Sequence, residues 1–320
     1  MKAAVISGFG QAPQYTDFPD PVPAPGETLV HVKASVLENF DKVTAAGTHY
    51  SSKHLYPQFP AVVGTDGVGL TEDGRLVAFG GMKAPYGAFA ERAVAGYTMP
   101  IPDGIDPALA TAIPPAVLTS LLPLKYAAKL QPGETVLING ATGVSGRIAV
   151  QVAKMLGAGK IIGTGRNERS LEHLSSLGVD EAVNIQQADE QLAAAFNKAG
   201  GGNGYDVVID FLWGHPAEVL ISTFIPDKIG FAKRRIRYVQ IGEKAGSQIA
   251  LTGSALRTSG LELTGVGKIP EAALGEELAN IWNWIREDKF YMDIERVFLA
   301  DIADAWQRTD LAGKRLVIIP

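Results

Sequence analysis

Cysteine is absent from the 320 residues, and with it go disulfides, catalytic thiols and thiolate metal sites. Histidine is scarce. His31, His49, His54, His173 and His215 are scattered with no ligand spacing, so no metal centre is expected. Positive charge is not in excess either: a formal net charge of −5 gives no electrostatic footprint for nucleic acid or an anionic membrane. The basic run Lys233-Arg234-Arg235-Ile236-Arg237 sits beside a predicted strand and reads as a solvated loop. Long hydrophobic runs are lacking, and nothing approaches the roughly 20 uninterrupted apolar residues of a membrane span. Met1 to Ile6 reads as a strand with no signal-type apolar core behind it. There is no internal repeat and no low-complexity tract. The expectation is a cytoplasmic protein.

What is present is an ordinary globular composition, 46% apolar and 20% charged, long enough for two domains. Residues 1 to about 118 are rich in turns and short strands. Pro19, Pro21, Pro23 and Pro25 alternate through an extended stretch, and Thr28 to Ser35 alternates with period two. Ala61 to Leu70, Arg75 to Phe79 and Ala88 to Ala93 read as further strands punctuated by glycine. Near Asp106-Pro107, a cap with proline at the first helical position, the texture changes. Beyond Pro132-Gly133, strands and helices alternate through about residue 241, which predicts a parallel sheet with helices on both faces. Glu271 to Glu287 is an amphipathic helix with Leu274, Leu278, Ile281, Trp282 and Ile285 on its apolar side, and Arg315–Ile319 is a final strand. The simplest layout inserts a nucleotide domain, residues 119–268, between residues 1–118 and 269–320 of another.

Thr135 to Arg166 organises that layout. Val136, Leu137 and Ile138 form the apolar run of a strand buried on both faces. Gly140, Gly143 and Gly146 follow at spacing three, a helix is expected from Arg147, and Ile148 to Leu156 carries helical periodicity. A second strand begins at Ile161. Glycine permits a tight turn and close approach to a pyrophosphate, while a helix N-terminus offers free N–H groups. Gly140, Thr142, Gly143, Val144, Ser145 and Gly146 are therefore candidate cofactor contacts. NAD-binding turns usually carry an acid about 20 residues past the last glycine, for the ribose hydroxyls. This chain has Arg166 there (166 − 146 = 20), followed by Asn167 and Arg169, a set suited to a 2′-phosphate. NADPH is expected.

Taken in order, MKAAVI, the proline-rich PDPVPAPGETLVHVKAS, PAVVGTDGVG, PAVLTSLLPL, LINGATGVSG, GYDVVIDFLWG and GKRLVIIP resemble the medium-chain dehydrogenase/reductase superfamily. Within it they are similar to the zinc-free quinone oxidoreductases related to zeta-crystallin. The resemblance covers nearly the whole chain. It implies an α/β fold in which a doubly wound Rossmann sheet is inserted in a β-rich, GroES-like catalytic domain. It also implies NADP(H) without metal, a small-molecule quinone or enone as substrate, no nucleic-acid or membrane partner, and a homodimer through an edge such as Leu261–Val266. Where zinc-dependent relatives carry ligands, this chain has Glu38-Asn39 and Gly64-Thr65-Asp66, without histidine or cysteine.

From the same resemblance, Asn39, Asp41 and Tyr50 are candidate catalytic residues, with Tyr50 of Gly47-Thr48-His49-Tyr50 as hydrogen-bond donor near the substrate oxygen. Thr119, Gly242, Arg308 and Lys314 join the cofactor contacts. The chain departs from the pattern at Val43, Asn184-Ile185 and Trp213, the last expected to narrow the cofactor cleft. Two other functions stay open: a cofactor-binding sensor without catalysis, and an alcohol dehydrogenase-like enzyme.

Overall fold

The computed structural model describes residues 1–226, 230–232, 234–266 and 270–320; Lys233 and the expected 268/269 boundary lie outside the described residues. Along the chain come β1 (Lys2–Ile6), β2 (Gln14–Asp17), β3 (Thr28–Leu37), α1 (Asn39–Ala45), α2 (Ser52–Leu55), β4 (Ala61–Val62), β5 (Asp66–Thr71), β6 (Leu76–Gly80), β7 (Arg92–Ala95), β8 (Tyr97–Pro100) and α3 (Pro107–Leu122). The alternating part follows: β9 (Thr135–Asn139), α4 (Val144–Met155), β10 (Lys160–Gly165), α5 (Glu168–Leu177), β11 (Glu181–Asn184), α6 (Asp189–Gly200), β12 (Val207–Asp210), α7 (Gly214–Ser222), β13 (Ile236–Gln240), α8 (Gly253–Thr258) and β14 (Leu261–Thr264). Last are α9 (Glu271–Arg286), β15 (Ile294–Phe298), α10 (Ile302–Gln307) and β16 (Arg315–Ile319). Two compact units result, Met1–Pro115 with Ile281–Pro320, and Ala116–Asn280.

The first unit is β-rich. One sheet runs β15-β16-β3-β5-β6-β8, with β7 also on β3, and a smaller sheet runs β2-β1-β4. Period two in β3 buries Val30, Val32 and Ala34 and leaves His31 and Lys33 exposed, as the alternation predicts. The single strand expected over Ala61–Leu70 is two, because Gly64 turns with φ +97° and β4 pairs with β1 while β5 pairs with β3 and β6. A Cβ at Gly64 would stand 2.8 Å from the Phe89 backbone nitrogen, so only glycine fits the corner.

In the second unit six parallel strands lie in the order β11-β10-β9-β12-β13-β14. Their apolar runs are buried on both faces; Val136, Leu137 and Ile138 are each 0% exposed. The chain winds outward from β9 through β10 to β11, then returns to β12 and continues the other way. The reversal makes the C-terminal ends of β9 and β12 the topological switch point, where open α/β sheets bind ligands. The doubly wound sheet interrupting a β-rich, GroES-like domain is thus the observed fold.

Two helices differ from expectation. In α9, Leu274 is exposed while Ala273 and Glu277 are buried, because the Glu277 carboxylate receives Lys125 Nζ and, at 2.7 Å, the Tyr126 hydroxyl. Pro107–Ala127, where α3 runs on into a π-turn, is long and apolar enough by length and composition to cross a membrane. Prolines, Thr and Ser interrupt the apolar run in the sequence, and 72% of its most apolar stretch is buried inside the protein.

Candidate functional site

β9 delivers the chain to Gly140, whose φ of +92° starts a tight turn. α4 begins at Val144, three residues ahead of the expected Arg147, with Gly143 as its extended N-cap and no side chain capping it. A Cβ on Gly146 would lie 2.2 Å from the Gly140 carbonyl oxygen, so helix and turn touch there. Among the described residues, a Cβ on Gly143 would meet only that same oxygen at 3.6 Å, an ordinary contact. The chain's own packing therefore requires glycine at 140 and 146 but not at 143. What Gly143 leaves open is the approach of a ligand to an uncapped helix N-terminus, an arrangement suited to a pyrophosphate. The Thr142 methyl packs against Gly165 at the end of β10, and the Ser145 carbonyl accepts from the Ser120 hydroxyl at 3.3 Å. Thr119, the neighbour of Ser120, is exposed on α3.

At the far end of β10, Asn167 caps α5, its Oδ1 accepting from the Ser170 N–H at 3.0 Å. Arg166 and Arg169 are exposed and make no ion pair with any described residue. Two guanidinium groups so placed suit a phosphate monoester. Gly242, just past β13, donates its N–H to the Asp210 carbonyl at 3.1 Å and lies so close to Phe211 that a Cβ would stand 2.7 Å from its oxygen.

The other expected residues fall in the first unit, and some are already engaged. Arg308 pairs with Asp310 at 2.9 Å and with Glu295, and Lys314 reaches Glu295 at 3.3 Å. These acids take up the charge that the resemblance assigned to a cofactor phosphate. Asp41 is buried: one carboxylate oxygen accepts the Glu38 N–H at 2.8 Å in a capping box for α1, and the other has no partner. Burial, then the Glu38 charge, holds its carboxyl well above the usual range, so it anchors α1 and is not an open catalytic acid. Asn39 is exposed at the first turn of α1, and Tyr50 is 95% exposed with its ring tilted against His49. The Trp213 ring packs on the core and stands edge-on to Tyr238 at 6.2 Å, which removes it from the role of narrowing the cleft.

At the first position where zinc-dependent relatives carry a ligand, Glu38 instead pairs with Arg315 at 2.9 Å. At the second, Asp66 opens β5 with its side chain reaching solvent, yet the protein packed around it, and then Glu38, push it up to about 6, with Arg315 opposing. Among the described residues no group of three or more His, Cys, Asp or Glu side chains is placed to hold a metal ion. The raised value has a consequence for stability. Between the ordinary carboxyl range and about 6 the native state holds the proton and the unfolded state has lost it, so stability falls as pH rises through that window. Asp66→Asn is expected to flatten this part of the melting-temperature profile and raise Tm more at pH 8 than at pH 4. A Tm difference from wild type that is the same at both pH values would refute the assignment.

Sequence reasoning missed a buried network at the switch point. Asn139 donates to Asp210 Oδ1 at 2.9 Å and accepts from the Thr164 hydroxyl at 2.7 Å, and the Thr164 oxygen accepts the Gly140 N–H at 2.8 Å. Tyr238 donates to the other Asp210 oxygen. All four side chains are 0% exposed. The available signal was a polar residue at or next to the C-terminal end of otherwise apolar strands, as in VLIN and VVID.

Comparison with known proteins agrees with this geometry. The family model described as zinc-binding dehydrogenase matches residues 145–222. Over 188 residues the chain is 34% identical to the reducing polyketide synthase BOA9 of Botryotinia fuckeliana, a match covering 59% of this chain but 7% of that protein. It is 26% identical to the probable NADPH-dependent quinone reductase tdiC of Emericella nidulans, over 100% of both chains. The quinone oxidoreductase of Thermus thermophilus, whose crystal structures include a complex with NADPH, is 27% identical with a TM-score of 0.77, covering 100% of both. With the strand order and the glycine turn already established, these likenesses agree with the resemblance of the chain to the medium-chain dehydrogenase/reductase superfamily. The ligand positions hold Glu38 and Asp66, with no cysteine or histidine. In this the chain is similar to the quinone-reductase relatives just named.

Proposed function

We propose that the chain is an NADPH-dependent, zinc-independent oxidoreductase that reduces quinones or carbonyl-conjugated alkenes. The observation that carries the reading is the glycine at 143, free of internal need, before an uncapped α4, with Arg166 just past the next strand and Arg169 in the first turn of α5, neither ion-paired with a described residue. NADPH, when bound, supplies the hydride. Gly140 to Gly146 hold its pyrophosphate on the α4 N-terminus, and Arg166 and Arg169 hold the 2′-phosphate. Thr119 and Gly242 border the same cofactor. Asn167 shapes the site by capping α5 rather than by touching the ligand.

Asn39 and Tyr50 are assigned to the substrate carbonyl, where a donated hydrogen bond stabilises the charge that develops on oxygen as the conjugated system is reduced. A quinone or enone spreads that charge, so hydrogen bonds serve where other members use a Lewis acid. The named activities of tdiC and the Thermus enzyme support this substrate class. The chain is further assigned as a cytoplasmic homodimer pairing through β14, with a small molecule as its only partner besides its own copy.

Thermal stabilisation and turnover test the proposal. NADPH is expected to raise Tm far more than NADH at equal concentration, and to be oxidised when a quinone or enone is added. Purified protein that is stabilised by NADPH but consumes none with any quinone or enone between pH 5 and 9 would point to a binding protein instead.

A further inference from the structure

We propose that Asp210 is a positioning residue for the dinucleotide, locking together the two turns that flank the switch point. This rests on the dinucleotide-binding reading above. One turn is Gly140–Gly143, after β9; the other is Phe211–Gly214, after β12. Oδ1 of Asp210 accepts three N–H groups: Asn139 Nδ2 at 2.9 Å, the Leu212 amide at 2.8 Å and the Trp213 amide at 3.0 Å. Its other oxygen takes the Tyr238 hydroxyl. Through Asn139 and Thr164 the same carboxylate reaches the Gly140 N–H, so the pyrophosphate turn and the Trp213 turn hang from one group.

The turns also touch. A Cβ on Gly140 would stand 3.0 Å from the Leu212 side chain, so a shift of the second turn moves the first. That second turn is strained. Trp213 has φ +55° and ψ −156°, a region that residues with a side chain rarely adopt, and Gly214 follows at φ +58°. It is held by the Asp210 acceptor, by the Ala245 N–H donating to the Leu212 carbonyl at 2.8 Å, and by the Trp213 ring against Tyr238. Strain maintained by a buried, fully engaged carboxylate at the ligand end of the sheet is the mark of a preorganised site.

Only a carboxylate fills every role. An amide at 210 can keep its oxygen towards Leu212, Trp213 and Asn139, but it then turns an NH2 group on the Tyr238 hydroxyl. Tyr238→Phe, by contrast, removes one partner from the second oxygen and leaves the three N–H contacts to Oδ1 in place. The two changes separate support of the fold from support of the ligand.

The test is calorimetric titration of wild type, Asp210→Ala, Asp210→Asn and Tyr238→Phe with NADPH, together with the Tm of each protein without ligand. Asp210→Ala is expected to raise the NADPH dissociation constant about tenfold to hundredfold, the scale of a modest misplacement at a binding site. Its KM for quinone should stay unchanged. Tyr238→Phe is expected to lower Tm while leaving the dissociation constant within about twofold, since the Oδ1 contacts persist. If Asp210→Ala does not fold, Asp210→Asn carries the test. Its neutral oxygen holds the same three N–H groups more weakly than the carboxylate, which Tyr238→Phe leaves in place, so a smaller rise in the same direction is expected. Dissociation constants that follow Tm loss in proportion across the variants, or a variant at 210 that binds as wild type does, overturn the proposal. Wild-type protein that binds neither NADPH nor NADH overturns the functional reading as well.

Discussion

Gly143→Ala is expected to weaken NADPH binding by about 10- to 100-fold while leaving the protein as stable as wild type. A charge-assisted hydrogen bond to a ligand contributes roughly 1.5–3 kcal/mol, and a methyl group in front of the α4 N-terminus displaces the anion from at least one such N–H. The chain itself tolerates the change. Gly143 has φ −75° and ψ 169°, ordinary for alanine, and the new Cβ would make only a 3.6 Å contact with Gly140 oxygen. Removing glycine freedom from the unfolded chain even favours the variant by about 0.4–1 kcal/mol. Gly146→Ala should behave oppositely. Its Cβ would lie 2.2 Å from the Gly140 oxygen and 2.7 Å from the Ala141 Cα, backbone atoms that move only if the turn opens. Overpacking of this kind costs about 1–3 kcal/mol, so Tm falls along with affinity. Calorimetric titration paired with thermal melts distinguishes the two. A Gly143→Ala protein that binds NADPH as tightly as wild type would show that no pyrophosphate sits at this helix.

The contrast between these two glycines marks where the sequence stopped being informative. Spacing alone made Gly140, Gly143 and Gly146 equivalent; packing separates the two the fold needs from the one it leaves to a ligand. Local periodicity was readable wherever burial follows from near neighbours, as in Val136 to Ile138 or the alternation of β3. It failed where a distant partner decides the matter. Glu277 is buried because Lys125 and Tyr126 lie against it from 152 and 151 residues away. Arg308 and Lys314 are occupied because Glu295, 13 and 19 residues back, sits on the adjacent parallel strand. The Asn139–Asp210 pair spans 71 residues, and only the strand order makes β9 and β12 neighbours. Composition could place a polar residue at the end of each strand, but not bring the ends together.

Preference for the phosphorylated cofactor turns on Arg166. It follows β10 directly, and that strand's end is fixed on both sides: Gly165 packs on Thr142 of the glycine turn, and Asn167 caps α5. The guanidinium is exposed with no acid drawn against it among the described residues, while the neighbouring Glu168 is turned to the Asn184 amide. A free arginine on a rigid strand end can grip a 2′-phosphate with two parallel N–H donors at little ordering cost. Arg166→Asp reverses the charge at that spot. The phosphate loses a pair worth roughly 1.5–3 kcal/mol and gains a repulsive carboxylate, while the ribose hydroxyls of NADH gain an acceptor. The ratio of kcat/KM for NADPH over NADH is therefore expected to fall by on the order of a hundredfold or more. Most of the change should appear in KM, because the phosphate is remote from the reacting carbon and binds equally in ground and transition states. Arg169→Ala, in the first turn of α5, should shift the same ratio by less and leave NADH kinetics untouched. If Arg166→Asp keeps the wild-type ratio, the 2′-phosphate is read elsewhere, and Arg169 becomes the residue to reverse next.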